Sequence, residues 1–173
     1  MLMFMDIVRK RKSVRNYTDT PISDETLREI LEAARLAPSA KNLQEWKFIV
    51  VRDEQTKRAL VEVAKGQRFV GDAAAVIAGV ATYTTYTMTN GVPACHVDLA
   101  IAMEHIALAA AEKGIGTCWI GAFYQERAKE LLGVPDDCLV VALMTLGYPE
   151  EELVPEKKPR KSMEEILCWE RYC

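Results

Sequence analysis

Helices and strands alternate along this 173-residue chain, and that alternation predicts a fold of the α/β class. Three observations predict it. Apolar residues recur at helical spacing in 23–37. Compact apolar runs at 46–52, 74–82 and 138–147 read as strands. A long alanine-rich run at 94–113 reads as a helix between two of them. The length fits one domain spanning residues 1–173.

In chain order, a short helix is expected over 5–11, ending near a basic cluster. Pro21 breaks the chain. Ser23 is a good N-cap, and Asp24 and Glu25 in the first turn favour the positive helix end. Leu27, Ile30, Leu31 and Ala34 follow at helical spacing, and Pro38 is expected to stop that helix. WKFIVVR, 46–52, reads as a strand, 54–64 as a helix, and AAVIAGVAT, 74–82, as a buried strand. YTTYTMTNGVP, 83–93, reads as a loop. The helix 94–113 is ended by Gly114 and is apolar nearly all the way round, so it is expected to be buried on every side, one of them against a second subunit. Residues 115–121 read as a short strand opening into a loop. The helix 124–132 ends at Gly133, with Pro135 just beyond. Residues 138–147 read as a central strand, the segment from Pro149 as an extended arm, and 162–169 as a short amphipathic helix.

Half of the residues are hydrophobic, enough for a substantial core, and the net charge is −3. That balance argues against a nucleic-acid binder, which is usually basic. No uncharged run reaches the roughly 18 residues of a membrane span. The closest stretch, 97–111, carries Asp98, Glu104 and His105. The opening MLMFMDIVRKRK has its apolar residues before its charges, the reverse of a secretory signal. The five cysteines, Cys95, Cys118, Cys138, Cys168 and Cys173, include no CxxC. They are expected to be free, most of them acting as small hydrophobes, in a reducing, cytoplasmic compartment.

Several motifs fail. Gly114-Ile115-Gly116 lacks the third glycine of a dinucleotide fingerprint, since Trp119 stands there, and it follows a helix instead of a strand. His96 and His105 are nine apart, which points them in different directions on a helix, and no metal spacing results. No GxSxG supports a serine triad.

Three segments carry candidate chemistry. Arg11-Lys12-Ser13-Val14-Arg15 puts three cations and a hydroxyl close together, which suits a phosphate or else makes a solvated basic patch. Lys157-Lys158-Pro159-Arg160-Lys161 is a second basic cluster. The two would have to converge in space to form one anion site. The loop from Ala37 to Trp46 offers Ser39, Asn42 and Gln44, either as ligand contacts or as turn residues. In Cys118-Trp119-Ile120-Gly121-Ala122-Phe123, Gly121 permits close backbone approach to a flat ligand or simply makes a tight turn.

Taken in order, these segments resemble the nitroreductase family of flavin enzymes: an RRSxR start, a PSxxNxQPW loop, a WIG segment and a terminal KxR, spread from Arg11 to Tyr172. The resemblance implies an α+β sandwich with a central, mostly antiparallel sheet flanked by helices, in place of the α/β class. It implies FMN held between the subunits of a homodimer. Arg11, Lys12, Ser13 and Arg15 match positions at the phosphate and the N1/O2 edge of the ring, and Lys158 and Arg160 match the terminal pair that reaches the phosphate. Pro38, Ser39 and Asn42 match a loop lent by the other subunit. Ile120 and Gly121 match the backbone beside flavin N5, and Gln67 matches a polar residue near the pyrimidine ring.

The implied activity passes hydride from NAD(P)H through N5 to a flat acceptor such as a nitroaromatic or quinone, in ping-pong fashion, with no side chain acting as acid or base. The alternative is an FMN carrier or redox sensor without turnover. No metal, nucleic acid or membrane is implied. The chain departs from the pattern at Lys12, which replaces an arginine and loses its planar fork. It departs also at Glu45, which replaces a proline and is expected to loosen the turn and put a carboxylate near the site mouth. The family's middle helical insertion is reduced to the loop 83–93, leaving an open pocket or a lid made by Tyr83 and Tyr86.

Overall fold

The computed structural model describes residues 3–155 and 158–173. Lys157 of the second basic cluster lies outside the described residues. In order come α1 (Phe4–Lys10), α2 (Asp24–Arg35), a 3-10 turn (Ala40–Asn42), β1 (Trp46–Val51), α3 (Glu54–Val63), α4 (Phe69–Asp72), β2 (Ala75–Ala81), α5 (Ala94–Glu112), β3 (Gly116–Ile120), α6 (Gln125–Leu132), β4 (Leu139–Gly147) and α7 (Met163–Ile166). Ser23 Oγ accepts the Thr26 N–H, and Asp53 caps α3 in the same way through Thr56. Gly133 ends α6 in the left-handed conformation, φ 65°. Helix α2 stops at Arg35, short of Pro38, because the residue before a proline is driven out of helical geometry and the last turn closes at Leu36 and Ala37.

The four strands form one sheet in the order β1-β2-β4-β3, and every neighbouring pair is antiparallel. The α+β expectation is therefore correct and the unaided α/β reading is not. Alternation of helix and strand leaves strand direction open. Here β2 and β3 run the same way, bridged by α5, but β4 inserts between them and pairs antiparallel with both.

Helices cover both faces. In β2, Ala75 and Ile77 face the cluster built with α2 and α5, while Val76, Ala78 and Val80 face the cluster built with α3. Covered on both sides, β2 is buried throughout and reads as an unbroken apolar run. A bulge lies opposite Gly79 and Val80: their partners are Ala142 and Val140, so Val141 is the extra residue. A Cβ on Gly79 would come within 3.1 Å of Met103 Sδ, so the glycine admits α5 against the sheet.

Within its own chain α5 leaves one side uncovered, the side expected to meet a second subunit. Ten of its nineteen residues are buried, while His96, Val97, Ala100 and Glu104 form an exposed stripe along it. By length and hydropathy α5 could cross a membrane, but half of that window packs inside the protein. The closing helix is a single turn, α7, with Met163, Ile166 and Leu167 all exposed. The cysteines also differ from expectation. Cys95 and Cys118 are buried thiols and Cys138 is half-buried, but Cys168 and Cys173, close in sequence in the exposed tail, form a disulfide.

The arm between α1 and α2 fixes the candidate site. It runs along β3 and β4, with Val14 N–H donating to Thr117 O (2.8 Å) and Thr18 N–H to Tyr148 O (2.8 Å). Gly116 and Gly147 are register partners. A Cβ on Gly116 would sit 2.6 Å from Val14 Cγ2, and one on Gly147 would sit 2.6 Å from Tyr17 Cδ1. The two glycines thus form a bare floor on which Val14 and Tyr17 lie. The Tyr17 hydroxyl then bonds Val14 O (2.6 Å) and Thr145 Oγ1 (2.7 Å).

Gly147→Ala should destabilise the protein by about 1–3 kcal/mol, the cost of overpacking a filled site. Gly121→Ala, whose Cβ meets nothing within 4 Å, should stay within about 0.5 kcal/mol of the parent. Urea unfolding of the two variants checks the contrast.

Candidate functional site

With Val14 and Tyr17 seated inward, the arm's cations are left for the other side. Arg15 is exposed, and Arg11, Lys12 and Ser13 are half-buried. Ser13 bridges Thr117 on β3, next to Cys118. Burial pushes the Cys118 thiol up, and the positive charges of Arg15, Lys158 and Arg11 all act to lower it. Cations from both ends of the chain therefore lie within electrostatic range of one buried sulfur. Arg160 stands exposed two residues beyond Lys158. Three cations and a hydroxyl around one locus suit a phosphate monoester: guanidiniums pair with its oxygens and Lys158 adds a point charge.

The neighbouring wall comes from the ends of α3 and β3. The Arg15 guanidinium lies 5.7 Å from the centre of the Phe69 ring, a cation–π contact that aims it. Two residues before Phe69, Gln67 Nε2 donates to Ala64 O (2.8 Å) and to Ala122 O (3.2 Å). Gln67 thus ties α3 to the loop that follows Ile120 and Gly121. Gly121 is exposed with open space where a side chain would stand. Lys12, Ser13 and Arg15 also line a recess of about 170 Å³ against Pro149 and Glu151. A larger cavity of about 790 Å³ has Arg15 as its one candidate residue, continues between Tyr17, Lys57 and Asp72, and is not lined by Gly121. The converging cations and the open glycine mark the site better than volume does.

The loop after α2 is built differently. Lys41, Asn42 and Gln44 all have φ between 53° and 55°, unusual for residues with a side chain. Ser39 Oγ accepts the Gln44 N–H (3.0 Å), Asp98 Oδ1 accepts the Ala40 N–H (3.0 Å), and Gln44 Nε2 donates to Asn42 O (3.2 Å). Glu45 does not loosen this turn. Its Oε2 accepts from Thr82 Oγ1 (3.2 Å) and its carbonyl accepts the Thr82 N–H (3.1 Å). Lys41 Nζ sits 4.7 Å from the centre of the Tyr86 ring, which ties the loop 83–93 to this segment. Pro38 and Asn42 are exposed and Ser39 is half-buried.

Within one chain these two halves stay apart. The 38–45 loop meets α5 at Asp98, whereas Arg11 meets it at Glu104, with Nε 3.9 Å from Oε1. Six helical residues separate those anchors by about 9 Å along the axis and about 120° around it. Among the described residues no hydrogen bond or ion pair joins the loop to Arg11, Ser13 or Arg15. Among them too, no three His, Cys, Asp or Glu side chains gather as a metal set.

Sequence reasoning did not assign Cys118, Phe69 or Glu104 to the site. Cys118 was legible in the strand alternation of Cys118 and Ile120 inward with Trp119 outward. Phe69 and Glu104 had no local signal, since their roles arise from contacts made across the chain.

The sequence profile of the Nitroreductase family matches residues 8–83 and 61–148. A protein of Archaeoglobus fulgidus, whose name joins NADH dehydrogenase with NAD(P)H nitroreductase, is 38% identical over 154 residues, covering 86% of each chain. The crystal structure of a nitroreductase family protein from Clostridium novyi NT superposes with a TM-score of 0.80 at 36% identity, over 86% of this chain and 88% of that one. The NADPH:FMN oxidoreductase of Vibrio harveyi, solved with NAD+, gives a TM-score of 0.89 at 27% identity, over 98% of this chain and 78% of that one.

Glu104 reports on the arm. Burial holds its carboxyl above the usual range, and the Arg11 guanidinium partly opposes that. With the folded value above the unfolded one, any stability gained is complete below the unfolded value and is lost as pH rises through the folded one. Arg11→Ala should move Glu104 further up, as read by NMR titration of its carboxyl carbon.

Proposed function

The chain belongs to the nitroreductase family, and we propose that it is an FMN-dependent oxidoreductase taking hydride from NAD(P)H and passing it to a flat acceptor such as a nitroaromatic or quinone, in a ping-pong cycle. The observation that carries this reading is that Arg11, Arg15 and Lys158, from both ends of the chain, all act electrostatically on Cys118, while Gln67 is tied to the loop that follows the open backbone at Gly121. The donor set fits FMN. A phosphate needs cations and hydroxyls, and a flat ring needs a wall without side chains.

Bound FMN supplies two-electron hydride chemistry at N5. The chain supplies the rest. Arg11, Lys12, Ser13, Lys158 and Arg160 hold the phosphate. Arg15, steadied over Phe69, meets negative charge at the N1/O2 edge, where a fixed cation favours the reduced form. Gln67 spends its amide N–H groups on Ala64 and Ala122 and leaves its carbonyl oxygen for the pyrimidine edge. Ile120 and Gly121 give the ring a bare backbone beside N5.

The proposal includes a homodimer. Phe4 and Val8 on α1 and Val97 on α5 are exposed large apolar side chains, and a second copy burying them would remove that surface from water. The loop of Pro38, Ser39 and Asn42 is anchored on a different side of α5 from Arg11, and among the described residues no hydrogen bond or ion pair joins it to Arg11, Ser13 or Arg15 of its own chain. In a two-fold assembly they complete the site of the other subunit.

Purified protein incubated with FMN should carry a flavin absorbance spectrum and bleach anaerobically with NADH or NADPH. Flavin binding without bleaching would mark a carrier or sensor instead. Arg11→Ala should weaken FMN binding by roughly 1.5–3 kcal/mol, the scale of a charge-assisted hydrogen bond. A flavin fluorescence titration reads this directly.

A further inference from the structure

We propose that Cys168 and Cys173 form a reversible thiol–disulfide exchange site that takes low-molecular-weight thiols and their disulfides as co-substrates. The proposal is independent of the flavin. The five cysteines divide into two groups. Cys95 and Cys118 are buried and Cys138 is half-buried, and burial raises all three thiols, which leaves them poor nucleophiles. Cys168 and Cys173 lie in the exposed tail and are joined, with Cα atoms 5.6 Å apart, a span that a disulfide bridges readily.

The pair does not staple the fold. Neither cysteine belongs to a core cluster, and the side chains between them face solvent, with Trp169 at 77% exposure and Tyr172 at 100%. Opening the ring therefore uncovers no core. The ring also holds its backbone in a costly shape. Arg171 N–H donates to Trp169 O (2.6 Å) across Glu170, whose φ is +58°. Glutamate rarely adopts that region, so the closed ring contains an unfavourable backbone angle. Exposed disulfides of this kind are the exchangeable ones.

The geometry also sets the direction of attack. The Cys173 residue is exposed and Cys168 is half-buried. A thiolate attacks Cys173 Sγ, forming a mixed disulfide and breaking the Sγ–Sγ bond. The electron pair leaves on Cys168 Sγ, which already accepts the Cys173 N–H at 3.0 Å, so the departing charge meets a donor. A second thiol attacks the incoming sulfur and releases the small disulfide and the Cys173 thiolate, and solvent protonates both cysteines. In sum, two small thiols are oxidised to one disulfide while the protein disulfide is reduced to a dithiol. The reverse oxidises the pair with a small disulfide. The ring constrains Trp169 and Tyr172, so exchange switches that aromatic pair between a fixed and a free presentation.

The test equilibrates the full-length protein anaerobically in stepped mixtures of glutathione and glutathione disulfide. Acid quench, alkylation after unfolding, and intact and peptide mass spectrometry follow. Labelled thiols should rise reversibly from three (Cys95, Cys118 and Cys138) to five, with both added labels on Cys168 and Cys173. Fluorescence should change at the same midpoint, and Trp169→Phe should remove that change. Cys173→Ser should abolish the two-label step. Five labels at every ratio would overturn the proposal, as would three at every ratio, a bond to Cys138, or a bond between two chains. A large fall in thermal midpoint on reduction would also overturn it, since the pair would then be a structural staple.

Discussion

The close packing of Val14 and Tyr17 on two paired glycines is the contact on which the site depends. Gly116 and Gly147 face each other across β3 and β4, and neither leaves room for a methyl group. Their bareness lets an irregular segment lie on the sheet as a further, partial strand, bridged in parallel at Ser13 and Thr117. Burial of the Tyr17 ring, with its hydroxyl bonded to Val14 O and Thr145 Oγ1, locks the register. Burial raises the Tyr17 phenol well above its ordinary range, so it remains a neutral donor. Once Val14 and Tyr17 are fixed inward, Ser13 is held against Thr117 and the neighbouring cations are left toward the surface. Packing with no polar chemistry of its own thus positions the charged chemistry.

Helix α5 does the opposite work and keeps groups apart. It is the longest element, it packs on three of the four strands and on α2, and its two anchors set the angular separation of the cation cluster from the 38–45 loop. Three left-handed residues in that loop hold a shape that costs free energy. Hydrogen bonds of Ser39 and Gln44 hold that shape within the loop, and the proposed two-fold partner would give it a further use. The exposed stripe on α5 and the apolar side chains of α1 belong to the same logic.

Much of the fold was legible because its elements announce themselves locally. The Ser23 and Asp53 caps, the Gly133 stop, and the unbroken apolar runs of β2 and β4 each fix an element within a residue or two. Strand direction was not legible. The same alternation of elements serves parallel and antiparallel sheets, and only the insertion of β4 between β2 and β3 decides. The unseen elements, α4 and the 3-10 turn, are too short for a periodic signal. The disulfide was missed because the lack of CxxC and the apolar surroundings of most cysteines argued for free thiols, whereas exposure of the tail that carries Cys168 and Cys173 is a property of the folded chain.

The candidate site was legible in residue type and order, through the Arg11–Arg15 cluster, Gln67 and the Ile120-Gly121 segment. Its depth was not. Arg15 is steadied by Phe69, Arg11 by Glu104, and Ser13 by Thr117, and each pairing crosses between elements distant in sequence. The most direct measurement is a crystal structure of the protein grown with FMN. The account predicts the phosphate bounded by Arg11, Ser13 and Lys158, with the ring against Gly121. A phosphate bound elsewhere, with Arg11 and Lys158 facing away from it, would contradict it.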